Sequence, residues 1–144
     1  MTASNVEHIC DVPNFDGGDG LVAIIIRNQK IKRGVEFLTP DYLPQQVALM
    51  NHPKGYKVVP HYHPKRVRTV QQTQEVLIIA SGKVELTLYM TNKVNVKRTL
   101  AHGDVAILIQ GGHSLIMLED TEIIEVKQGP YHGKEIDKVE LPNP

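Results

Sequence analysis

The chain has 144 residues, 41% of them hydrophobic, which is the size of one domain with enough apolar material for a core. Lys plus Arg equals Asp plus Glu at 16 each, and this balance excludes a general binder of nucleic acid or anionic membrane, both of which need a basic field. Cys10 is the single cysteine, so an internal disulfide and a cysteine-based zinc site are excluded, and it reads as an incidental thiol.

The first twenty residues are polar and acidic, with neither a basic nor an apolar stretch of the kind a secretory signal needs. The longest apolar run, 21–26, is too short to span a bilayer, so the expected location is the cytoplasm. From residue 21 the chain reads as short strands at 21–27, 35–39, 45–51, 56–63, 75–81, 83–90, 94–100, 104–110, 113–119 and 121–128. Turn signals separate them: Ser81-Gly82, Thr91-Asn92-Lys93, His102-Gly103-Asp104, Gly111-Gly112 and Glu119-Asp120. The clearest alternation is at 83–90, where Val84, Leu86 and Leu88 face one way and Lys83, Glu85 and Thr87 the other. No repeat, linker or long amphipathic helix interrupts the series. So many short strands predict an all-β sandwich or barrel in one domain over 1–144, with a barrel over about 21–128 and a polar tail or edge strand over 129–144.

Two histidines two residues apart, His61 and His63, would share one face of a strand, with Cα atoms roughly 6.5 Å apart, close enough for both rings to reach one cation. Glu75 opens the apolar strand EVLIIAS, where a carboxylate needs a partner or a cation to offset its burial. His113 follows a Gly-Gly turn at the end of another apolar strand. His8, His52, His102 and His132 have no spacing partner and read as surface or capping residues.

These residues sit in two patterns, Gly55-YKVVP-His61-Tyr62-His63 with Glu75-VLIIAS-Gly82, and Gly103-DVAILIQ-Gly111-Gly112-His113. Together they resemble the two motifs of the cupin superfamily, a double-stranded β-helix or jelly-roll barrel. The resemblance implies one divalent metal ion held by His61, His63, Glu75 and His113. It does not choose among Fe, Mn, Ni, Zn and Cu. The chain departs from the family pattern in three ways. Eleven residues separate His63 from Glu75, which brings Gln71, Gln72 and Gln74 into consideration beside it. Ile109 and Met117 stand where the second motif has Pro and Asn. The turn before His113 is one residue short. A narrower resemblance, carried by TQEVLIIASGKVELTLY, GDVAILIQGGHSL and IEVKQGPYHGKEIDK, is to small cupins associated with bacterial surface-polysaccharide and sugar-nucleotide synthesis.

Lys65, Arg66 and Arg68 follow the histidine pair and would grip a substrate phosphate or carboxylate if that loop lines a barrel mouth. Tyr131 would either serve packing or cover the opening. Three functions follow as expectations: a metal-dependent enzyme on a small polar, carbohydrate-like substrate; a metal-free sugar-nucleotide ketoisomerase or epimerase using barrel histidines as acid and base; and a non-catalytic sugar binder. The catalytic residues stay open. The expected partners are a small molecule and a second copy in a homodimer, with no nucleic acid and no membrane.

Overall fold

The computed structural model describes residues 5–11 and 20–142. They form β1 (Val6–Cys10), β2 (Leu21–Ile26), β3 (Gly34–Phe37), β4 (Ala48–Asn51), β5 (Glu75–Ser81), β6 (Lys83–Tyr89), β7 (Val96–Ala101), β8 (Val105–Leu108), β9 (Gly112–Met117), β10 (Glu122–Lys127) and a short helix α1 (Lys134–Asp137). Every strand pairing among them is antiparallel, and the fold is all-β as expected. No helix of the described residues is long and apolar enough to cross a membrane. The chain divides into two compact units: residues 1–28 with 72–144, and residues 29–71.

The first unit holds a five-stranded sheet, β1-β2-β8-β5-β10, and a three-stranded sheet, β7-β6-β9. The two share one core. Val22, Leu77, Ile79, Ala106 and Leu108 of the larger sheet cluster with Val84, Leu86, Leu88 and Leu100 of the smaller. The alternation read in β6 holds, since Val84, Leu86 and Leu88 are buried in this cluster. β2 is an uninterrupted run of Leu, Val, Ala and Ile, the pattern of a strand covered on both faces, and all six residues are buried.

The motif glycines have backbone reasons. Gly82 turns β5 into β6 at φ +84°, and a Cβ there would run into the Asp120 carbonyl and Thr121. Gly103 sits at φ +83° against the Asn28 side chain. The next residue, Asp104, is buried and fully used: Oδ1 accepts from the Asn28 amide at 2.8 Å, and Oδ2 from Arg27 Nη1 at 2.9 Å and the Ala101 amide at 3.0 Å. The two sheets are also tied at their margins, where Arg98 Nε of β7 donates to both carboxylate oxygens of Glu7 in β1 at 3.0 Å.

The second unit is a β3-β4 hairpin whose loop closes on polar contacts. Thr39 Oγ1 donates to Gln46 Oε1 at 3.0 Å and accepts from the Val47 amide at 3.0 Å, while Gln46 Nε2 donates to the Leu43 carbonyl at 2.8 Å.

Three sequence expectations are corrected. The strand expected at 56–63 does not form; residues 53–73 carry no strand or helix and are all exposed. Pro60 and Pro64 remove ladder donors and restrict the residues before them. Of the two expectations for the C-terminal segment, the edge strand does not form: α1 takes up Lys134–Asp137, the rest of 129–142 carries no strand or helix, and residues 143–144 lie outside the described set. β1 arises inside the N-terminal stretch that reads as merely polar; it pairs with β2, buries Ile9 and leaves Cys10 exposed. The rest of that stretch, 1–4 and 12–19, lies outside the described residues.

Two outcomes follow. Gly82→Ala combines a left-handed backbone with a collision against backbone, so urea unfolding should show a loss of about 2 kcal/mol or more. The Arg98 hydrogen bond holds the Glu7 carboxyl below its ordinary value, against the opposing effect of burial. The folded state therefore binds this proton less readily than the unfolded chain does. The contribution is complete above the ordinary carboxylate range and fades as pH falls through the lowered value. Thermal melts from pH 7 down to about 3 should fall more steeply for the native chain than for Glu7→Gln.

Candidate functional site

β5 places Glu75, Leu77 and Ile79 on one face, and Leu77 and Ile79 belong to the shared core. Glu75 is the polar end of a core-facing row. In β9, His113 stands opposite Leu88, a core residue of β6, and cross-strand partners share a face. His113 is thus the polar end of the facing row in the other sheet. The two rows meet there, with His113 Nε2 3.2 Å from Glu75 Oε2. The carboxylate can only accept, so Nε2 carries the proton in this contact. The Glu75 side chain keeps 13% of its exposure and His113 31%. The His113 hydrogen bond holds the Glu75 carboxyl below its ordinary value, and burial pushes the other way.

The pair opens into a cavity of about 590 Å³ in the first unit. Thr73, Gln110, Tyr89 and Ser114 supply polar walls. Tyr89 and Ser114 share a hydrogen bond of 2.8 Å between neighbouring strands, and Gln110 is fixed by donating from Nε2 to the Leu21 carbonyl at 2.9 Å. The remaining wall is the C-terminal segment, including Lys134, Lys138 and Leu141. Leu141 sits over Gly112, where any Cβ would meet its Cδ1 at 2.6 Å. Lys127 Nζ donates to Asp137 at 2.8 Å and anchors this segment to β10.

The other expected ligands lie in the second unit. The His61 and His63 rings stand edge to face with centroids 5.3 Å apart, although no strand carries them. His61 Nδ1 donates to the Val59 carbonyl at 2.8 Å, which leaves Nε2 with a free lone pair, the arrangement a metal-ligating imidazole uses. Each unit therefore brings together one pair of donors. Among the described residues, no group of three or more His, Cys, Asp and Glu forms a metal cluster within either unit. The donor chemistry, a carboxylate and imidazoles, suits a first-row divalent ion.

Lys65, Arg66 and Arg68 are exposed. Tyr131 is 62% exposed, and Lys127 Nζ lies 5.3 Å from its ring centroid. Of the three glutamines near Glu75, Gln71 and Gln72 are exposed, and Gln72 Nε2 donates to Gln110 at 3.3 Å. Gln74 is buried, but alternation along the chain turns it away from the cavity that Glu75 lines, and its Oε1 lacks a partner among the described residues. His102 Nδ1 donates to the Ala80 carbonyl at 2.7 Å, and His52 stacks on Tyr56 at 4.0 Å.

Sequence reasoning did not single out Tyr89, Ser114 or Lys138. Tyr89 was legible only as the end of an alternating strand, and no local signal brings residues 134–141 to the cavity. No protein-family model, curated protein or solved structure matches the chain.

Removing the anchor should open this wall. In Asp137→Asn, amide hydrogen exchange over residues 134–141 is expected to quicken, while β5 and β8 keep their protection.

Proposed function

We propose that this chain is a small cupin-type jelly-roll protein of the cytoplasm, working as a metal-dependent enzyme on a small polar, carbohydrate-like molecule bound at the Glu75–His113 end of the first unit. The observation that carries this reading is the carboxylate and imidazole meeting at 3.2 Å, from two different sheets, beside a cavity of about 590 Å³. Glu75 is partly buried, and a carboxylate drawn out of water costs stability unless a cation or donor compensates it, a need that His113 or a bound ion meets. On this reading Glu75 and His113 are the ligands that the first unit offers, and the second unit offers the His61–His63 pair. Bound there, a divalent ion would act as a Lewis acid on a substrate oxygen. The chain's own groups do the rest: Gln110, Thr73 and the Tyr89–Ser114 pair offer hydrogen bonds to a polar substrate, and the C-terminal segment limits access of water.

The direct Glu75–His113 contact at 3.2 Å favours one other reading, a metal-free acid–base enzyme. There Glu75 orients the His113 ring, and His113 removes a proton beside a substrate carbonyl and returns it elsewhere.

Metal content separates the two. The reading expects the untagged protein to carry close to one first-row metal per chain after reconstitution, and Glu75→Gln, His113→Ala and the His61→Ala/His63→Ala double variant each to lose most of it. A chain that stays metal-free after reconstitution with Mn, Fe, Ni and Zn, yet washes solvent deuterium into a nucleotide sugar, would establish the acid–base enzyme instead.

A further inference from the structure

Among the described residues, three carboxylates line the cavity, Glu75, Asp137 and Glu140, and each already has a partner. Glu75 meets His113 at 3.2 Å, Asp137 meets Lys127 at 2.8 Å, and Glu140 meets Lys134 at 3.1 Å. That leaves Lys138. It stands on the same wall, yet its side chain makes no ion pair and no hydrogen bond with any described residue.

The place of Lys138 on that wall is fixed from both sides. Its amide donates to the Lys134 carbonyl at 3.0 Å and closes α1. The Asp137–Lys127 contact holds the residue before it, and Leu141 over Gly112 holds the chain after it. The backbone is therefore anchored while the ammonium group is not. On a convex surface water satisfies such a group. On a cavity wall the low-dielectric surroundings focus its field into the space a ligand takes. The cations expected from the sequence to grip an anion, Lys65, Arg66 and Arg68, do not line this cavity.

We propose that Lys138 anchors an anionic substrate, a small polyhydroxylated molecule bearing a phosphate or carboxylate group. The ends of such a molecule sort by charge. Glu75 repels an oxyanion and accepts hydrogen bonds from hydroxyl groups, so the hydroxyl end lies toward Glu75 and His113. The oxyanion takes the Lys138 side, where a flexible stem lets the ammonium follow it. A cavity of about 590 Å³ has room for one such molecule. The inference rests on reading this cavity as the substrate site and adds the chemical class of what enters it. It uses neither a metal ion nor the histidine pair of the second unit.

The test is a set of amide NMR titrations of the metal-free full chain with glucose, glucuronate and glucose 6-phosphate, which share one carbon skeleton and differ in charge. Both acids should shift the amides of residues 73–75, 110–114 and 134–141, which form the cavity, and bind more tightly than glucose. Lys138→Gln should weaken the acids ~10-fold or more and leave glucose unchanged. Lys138→Arg should keep most of the affinity. Lys83→Gln removes the same charge at the end of β6 away from Tyr89, and should change the affinity less than ~2-fold. Lys138 and Lys83 are exposed, so these variants fold, and unchanged amide spectra away from the cavity record it. Acids that bind the cavity of Lys138→Gln as well as that of the native chain would overturn the proposal and leave the substrate site standing. So would acids that bind no more tightly than glucose. Failure of all three probes to shift the cavity amides would overturn the substrate site and this proposal together.

Discussion

The site depends on two rows of side chains that run through the shared core and end in polar residues at the same place. Glu75 completes the row of Leu77 and Ile79, and His113 completes the row that faces it. Because successive strand residues alternate between faces, a shift of one residue in either strand would turn one of the two outward and leave the other charge without compensation. The register of β5 with β8 and of β6 with β9 therefore fixes the chemistry, and the hydrophobic packing that sets the register is what holds carboxylate and imidazole at 3.2 Å.

Much of this was legible in the sequence. The strand bounds of β5 and the alternation of β6 follow from residue type alone, since β-branched and apolar residues at period two specify which face is buried. Gly82 and Gly103 were visible as motif glycines, and the structure supplies their cause in backbone angle and close approach. The pairing of Glu75 with His113 was available only through a motif, because residues 38 positions apart meet through topology and not through any local pattern. β1 and the wall formed by residues 134–141 were not legible. β1 is short and half polar because it is an edge strand, and the C-terminal segment is held by a lysine–aspartate contact and one leucine over a glycine, neither of which leaves a periodic trace.

The histidine pair shows how a correct proximity can come from an incorrect premise. A strand at 56–63 was the reason for bringing His61 and His63 together, yet two prolines prevent that strand. The rings are neighbours because two residues of extended chain span a short distance whatever their hydrogen bonding, and the Val59 carbonyl then orients one of them. The same absence of ladder bonds that defeats the strand leaves residues 57–73 with unused backbone groups beside exposed valines.

The claim on which the account turns is that Glu75 accepts a hydrogen bond from the Nε2 proton of His113. Long-range proton–nitrogen NMR spectra of the metal-free protein read that proton directly, with the His113→Ala spectrum giving the assignment. The account predicts that His113 holds its proton on Nε2 and that Glu75→Gln moves this resonance while leaving the His102 ring unchanged. A His113 ring protonated on Nδ1 alone, with Nε2 bare and insensitive to residue 75, would contradict it.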